Sequence, residues 1–118
     1  ETRCEQSKCD DADYIVVAFG SAARIAEKSM EIAQEHDIKL GLFRPITLWP
    51  FPEKELRKTA AGKKGILVAE INAGQMIQDV KLAVGSTIAV APFGRLGGIV
   101  PDPEEIVNAL KTKLIDNE

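Results

Sequence analysis

Four short apolar runs, separated by segments that read as helices, constrain the fold of this chain more than any other feature. Tyr14 to Phe19 is a continuous apolar run ended by Gly20, and its length and β-branched content suit a strand buried on both faces. Ile38 to Phe43, Gly65 to Ile71 and Thr87 to Ala91 are the other three. Strict alternation of apolar strands with helices predicts a three-layer α/β domain. Its sheet is mainly parallel, with helices on both faces and right-handed crossovers.

The intervening segments carry helical signals. Ser21 is placed to cap a helix running to about Glu35. In it Ala22, Ile25, Ala26, Ser29, Ile32 and Ala33 form one stripe, with Arg24, Glu27, Lys28, Glu31 and Gln34 opposite. Pro52 followed by Glu53 and Glu55 reads as a helix start, and that helix ends near Gly62. Met76, Ile77, Val80, Ala83 and Val84 make a third stripe, closed by Gly85. Pro92 to Pro101 reads as a glycine-rich loop. Asp102, Pro103 and Glu105 then supply an N-cap, an N1 proline and a capping-box acid for a last helix to about Ile115. Residues 1–13 are polar and without periodicity, and read as a leader or an edge strand. Residues 14–118 read as one domain.

Composition narrows the function classes. The chain has 118 residues, 45% of them hydrophobic and 28% charged, enough for one buried core. A net charge of −3 gives no electrostatic reason to bind nucleic acid or an anionic membrane. The apolar runs are far below membrane-span length, and the first residues show no secretory apolar segment, so a cytoplasmic location is expected. Cys4 and Cys9 are the only cysteines and are expected as free thiols. They are not a C-x-x-C pair, His36 is distant, and an iron–sulfur cluster takes about four cysteines, so no metal site is expected here.

In a doubly wound sheet, ligands meet the carboxyl ends of the strands. Gly20-Ser21-Ala22 lacks both the G-x-G-x-x-G and the phosphate-loop spacing, and reads as a tight strand-to-helix turn. Glu70, Asn72 and Gln75 could hydrogen-bond a partner or ligand, or simply cap the next helix. Arg95, in Gly94-Arg95-Leu96-Gly97-Gly98, could fork onto an anion such as a CoA phosphate. His36, at the end of a helix, is expected as a dipole partner rather than a general base. No catalytic residue is assigned.

Three segments are more specific. Arg44-Pro45-Ile46-Thr47-Leu48-Trp49-Pro50-Phe51-Pro52, Glu70-Ile71-Asn72-Ala73-Gly74-Gln75-Met76, and the stretch from Gly94 through Pro101-Asp102-Pro103 to Ile106 resemble, in order and spacing, the α subunit of 2-oxoacid:ferredoxin oxidoreductases. The resemblance spans about residues 14 to 112 and is nearest the 2-ketoisovalerate (branched-chain) type. It implies a domain akin to the C-terminal domain of transketolase, with core strand order 2-1-3-4 and the leader able to add an antiparallel edge strand. It further implies a parent enzyme that converts a 2-oxoacid, CoA and oxidised ferredoxin to acyl-CoA, CO2 and reduced ferredoxin. That enzyme would use thiamine diphosphate, Mg, 4Fe–4S clusters and CoA.

The catalytic half of such an enzyme is missing here, because no G-D-G…N segment is present to hold a diphosphate. The expectation is therefore a non-catalytic, subunit-interface domain. Its partners would be other domains and subunits, with ferredoxin engaged through the complex, and it could also form a homodimer. Arg44, Trp49, Glu70, Asn72, Gln75 and Arg95 are the interface candidates, Trp49 as a large anchor between prolines. The rival is a stand-alone flavodoxin-like ligand-binding or signalling module. Ala18-Phe19-Gly20 and Glu70 stand where a phosphorylation receiver needs clustered acids and an acceptor aspartate, which disfavours that reading.

Overall fold

A computed structural model describes residues 4–46, 51–70, 76–94 and 102–115, with Ser21, Glu70 and Gly94 described by backbone alone. The elements run β1 (Cys4–Ser7), β2 (Tyr14–Ala18), α1 (Ser21–Glu35), β3 (Leu40–Pro45), α2 (Glu53–Ala60), β4 (Gly65–Glu70), α3 (Met76–Val84), β5 (Ala89–Gly94) and α4 (Pro103–Leu110). A π-helical turn, Lys111–Ile115, continues α4.

The five strands form one sheet in the order β1-β3-β2-β4-β5. β2 pairs parallel with both β3 and β4, and β4 with β5, while β1 pairs antiparallel with β3. Counted among the parallel strands alone, the order is 2-1-3-4, and the leader supplies the antiparallel edge.

All five residues of β2 are buried. Alternation sends Tyr14, Val16 and Ala18 into a core beneath α1 and α4, and Ile15 and Val17 into a second core with α2 and α3. An apolar run in the sequence therefore becomes a central strand covered on both faces. On α1 the expected stripe is the buried one, including Ser29, whose hydroxyl donates to the Ala26 carbonyl at 2.6 Å. Only Ile32 is partly open.

Several boundaries differ from expectation. β3 begins at Leu40 rather than Ile38, because the Ile38 and Asp37 amides return to the Ala33 and Gln34 carbonyls and close α1, with Asp37 left-handed at φ 61°. The strand runs on to Pro45, which lies opposite Cys4 of β1. β5 starts at Ala89 rather than Thr87, because the Thr87 hydroxyl caps α3 at the Val84 carbonyl, 3.1 Å away. β5 then passes through Pro92 to Gly94, where the glycine-rich loop was expected. A proline is tolerated there because β5 is an edge strand. The Lys113 ammonium donates to the Pro92 carbonyl.

Gly20, not Ser21, is the N-cap of α1. Its φ of 65° and ψ of −135° fall where a side chain is disfavoured, and no side-chain cap bond forms. The last helix starts as expected, with Asp102 and Glu105 forming a complete capping box around Pro103.

Candidate functional site

Because β2, β3, β4 and β5 are mutually parallel, their last residues, Ala18, Pro45, Glu70 and Gly94, share one edge of the sheet. Glu70 and Gly94 are directly opposed in register. Of the six residues expected to make contacts, Arg44 is placed fully and Glu70 by its backbone, both at this edge. Trp49, Asn72, Gln75 and Arg95 lie outside the described residues.

Arg44 is held by the chain itself. It faces Glu5 across the β1–β3 ladder, and its Nη1 lies 3.2 Å from Glu5 Oε1. The side chains are 38% and 64% exposed, so the pair is worth under about 1 kcal/mol. Its effect is to fasten the edge strand and to neutralise the guanidinium.

Two apolar residues at this edge were not singled out by sequence reasoning. Phe19 follows the last residue of β2 and Ile46 the last residue of β3, and each is 39% exposed. Phe19 was read as the final core residue of its strand. The one available signal was its position next to Gly20, where the chain leaves the sheet. The Gly20 turn itself is the tight strand-to-helix turn expected. A Cβ there would meet nothing within 4 Å, so the glycine answers to backbone conformation and not to space.

The remaining candidates do not build a catalytic centre. His36 is exposed at the C-cap of α1. Its Nδ1 lies 3.3 Å from the Lys111 ammonium. Cys9 is buried, with its thiol donating to the Leu42 carbonyl at 3.2 Å, and Cys4 is half-buried. Burial pushes both thiols above their ordinary value, opposed at Cys9 by the Ser7 backbone and the Lys63 charge. Among the described residues, no three His, Cys, Asp or Glu side chains converge as a metal site. An open groove of about 700 Å³ lies at the opposite, amino edge, between Met30 and Gln34 of α1 and the Lys8–Asp11 turn.

Residues 12–106 match the family model described as pyruvate:ferredoxin oxidoreductase core domain II. The chain belongs to that family.

Its relatives in this domain II family include the ketoisovalerate oxidoreductase subunit VorB of Methanothermobacter marburgensis, 35% identical over 111 residues. That match covers 94% of the chain and 31% of the relative. The 2-oxoglutarate synthase subunit KorA of the same organism is 33% identical over 101 residues, covering 86% and 27%. The chain thus spans about a third of the length of these relatives. Among solved structures, it is similar to the 2-oxoglutarate:ferredoxin oxidoreductase from Magnetococcus marinus with 2-oxoglutarate, coenzyme A and succinyl-CoA bound. The TM-score is 0.78 at 25% identity, over 94% of this chain and 19% of that one. A split-gene transketolase, an inactive beta4 tetramer, shares the fold with a TM-score of 0.78 at 17% identity, over 96% of this chain and 41% of that one. A flavodoxin-like signalling module is not favoured by these matches.

The residues of this domain do not fit an iron–sulfur cluster. Two cysteines are half the usual ligand number, and the Cys9 sulfur is committed to the Leu42 carbonyl. No helix among the described residues is long and apolar enough to cross a membrane.

Proposed function

We propose that this chain is the non-catalytic, interface-forming domain of a 2-oxoacid:ferredoxin oxidoreductase, of the 2-ketoisovalerate type. The observation that carries the reading is one of proportion. Nearly the whole chain, 94%, aligns with only 31% of a ketoisovalerate oxidoreductase subunit.

On this reading the thiamine diphosphate, Mg, iron–sulfur clusters and CoA of the parent enzyme are held elsewhere, and electrons reach ferredoxin through the complex. Residues 14–118 are the transketolase-C-terminal-like domain, with residues 1–13 as its leader and edge strand. Glu70, Asn72, Gln75 and Arg95, together with Arg44 and Trp49, contact the rest of the enzyme, and such a domain could also pair with a second copy of itself. Multi-subunit enzymes gain orientation from charged groups of this kind, and Arg95, as a bidentate donor, is suited to fix geometry across an interface.

The test is Arg95→Ala in the complete enzyme. The interface reading expects weaker assembly, corresponding to about 2–5 kcal/mol for a broken buried pair, with this domain's own stability unchanged. Normal assembly with a raised CoA requirement would instead make Arg95 an anion ligand. Unchanged assembly, CoA and substrate kinetics would make it a solvated loop residue.

A further inference from the structure

We propose that the free edge of β5 is closed to strand addition from a second copy of this chain, by Pro92 within the strand and by Lys113 laid on it from the π-helical turn. The inference stands apart from the assembly reading above and concerns how the sheet ends.

β5 ends the sheet, and among the described residues no strand pairs with its outer side. An open edge is a template for another strand, and uncharged, β-prone segments pair most readily. This edge is such a segment. No charged residue occurs from Leu82 to Gly94, and Thr87, Ile88, Val90 and Phe93 are of types that favour strands. The opposite edge, β1, has only four residues, carries the charge of Glu5, and is followed directly by left-handed Lys8. A short, charged strand is a poor template. β5 has six residues and no charge, so it needs a different safeguard.

Two features supply it. Pro92 is exposed and has no N–H, so an incoming strand would find a donor missing. The ladder to β4 runs unbroken past it, from Gly65 opposite Ala89 to Glu70 opposite Gly94. That is the arrangement of an edge-strand proline whose missing N–H is on the outer side. The Pro92 carbonyl would be the acceptor an incoming strand uses, and the Lys113 ammonium already donates to it. The turn that carries Lys113 is fixed to the sheet by its neighbour Leu114, which is buried over Gly65 at the start of β4. A strand added here would therefore have to displace a positioned ammonium and bury it, with one ladder hydrogen bond lost to the proline.

The experiment compares wild type, Lys113→Ala, the double variant Pro92→Val/Lys113→Ala, and Lys111→Ala in the 118-residue chain. Lys111 is the control, because its ammonium meets His36 and not β5. Sedimentation over a concentration series reads association, and thioflavin fluorescence reads whether the contact is made by added strands. The proposal expects the double variant to associate at a concentration roughly tenfold below wild type, as restoring hydrogen-bonding sites to the edge implies. It expects a rise in thioflavin signal with it, Lys113→Ala part of the way, and Lys111→Ala to match wild type. Should the double variant fail to fold, Lys113→Ala carries the test alone, since that side chain is exposed. A folded double variant that associates no more than wild type would overturn the proposal. So would Lys113→Ala and Lys111→Ala associating equally, or association without a thioflavin signal.

Discussion

Gly41 of β3 lies directly beneath the backbone of Cys9. A Cβ built on Gly41 would stand 2.8 Å from Cys9 Cα and 3.0 Å from the Lys8 carbonyl oxygen. Both neighbours are main chain, so neither can rotate aside. The turn they belong to is pinned by the Lys63 ammonium, which donates to the Cys9 carbonyl at 2.6 Å, and Lys8 holds a left-handed φ of 57°. Gly41→Ala must therefore lift the β1–β2 turn or displace β3. The expected loss is about 1–3 kcal/mol, seen as a lower urea midpoint at unchanged slope. Gly65→Ala is the control. Its nearest neighbour is the Leu114 side chain at 3.2 Å, which can re-pack, so its cost should be clearly smaller.

The two thiols should be told apart by reactivity. Cys4 is partly open and Cys9 is buried with its thiol hydrogen-bonded, so a disulfide reagent near pH 8 should label Cys4 readily and Cys9 only as the chain unfolds. Two fast thiols in the folded chain would show that the β1–β2 turn is not closed over Cys9.

The same burial gives stability a pH dependence. Both thiols are raised above 9.0, mainly by desolvation. The unfolded chain ionises them near that value while the folded chain retains the proton. The associated stability is complete below about pH 9 and is lost as pH rises through the higher folded values. Urea midpoints measured from pH 7 to 10.5 should fall at the alkaline end, and Cys9→Ala should flatten the fall.

Two helix-terminal contacts have separate, modest costs. Asp102→Ala removes a capping box and should cost about 1 kcal/mol. Arg57→Ala removes an Nε hydrogen bond of 2.9 Å to the Ala83 carbonyl near the end of α3, and should cost about 1 kcal/mol. The sites lie on opposite faces of the sheet, so the double variant should show the sum in thermal or chemical denaturation.

How much of this was legible in the sequence depended on the range of the forces involved. The buried strands, the α1 stripe and the Asp102–Pro103–Glu105 start are written in local periodicity and capping chemistry, and could be read directly. The ends of β3 and β5 were displaced by contacts outside the local pattern: the Ile38 amide returning to Ala33, the Thr87 hydroxyl capping α3, and an edge position that tolerates Pro92. The edge strand β1 is held by a ladder to β3 from Cys4 opposite Pro45 to Ser7 opposite Leu42, a long-range pairing that no local pattern encodes. At the candidate site, Glu70 was expected at the carboxyl edge and its backbone is there, and Arg44, an interface candidate only through the resemblance, ends up at the same edge. Phe19 and Ile46 were not singled out, because an apolar residue at a strand end looks like core until the covering helices are placed.

An assembly domain that performs none of its enzyme's chemistry, as proposed, should be inert alone. The most direct measurement is 2-oxoacid- and CoA-dependent reduction of ferredoxin or a viologen dye by the purified 118-residue chain, with thiamine diphosphate and Mg²⁺ added. The predicted rate is that of a blank without protein, with no visible iron–sulfur absorbance. Turnover above the blank that depends on the 2-oxoacid would contradict the claim.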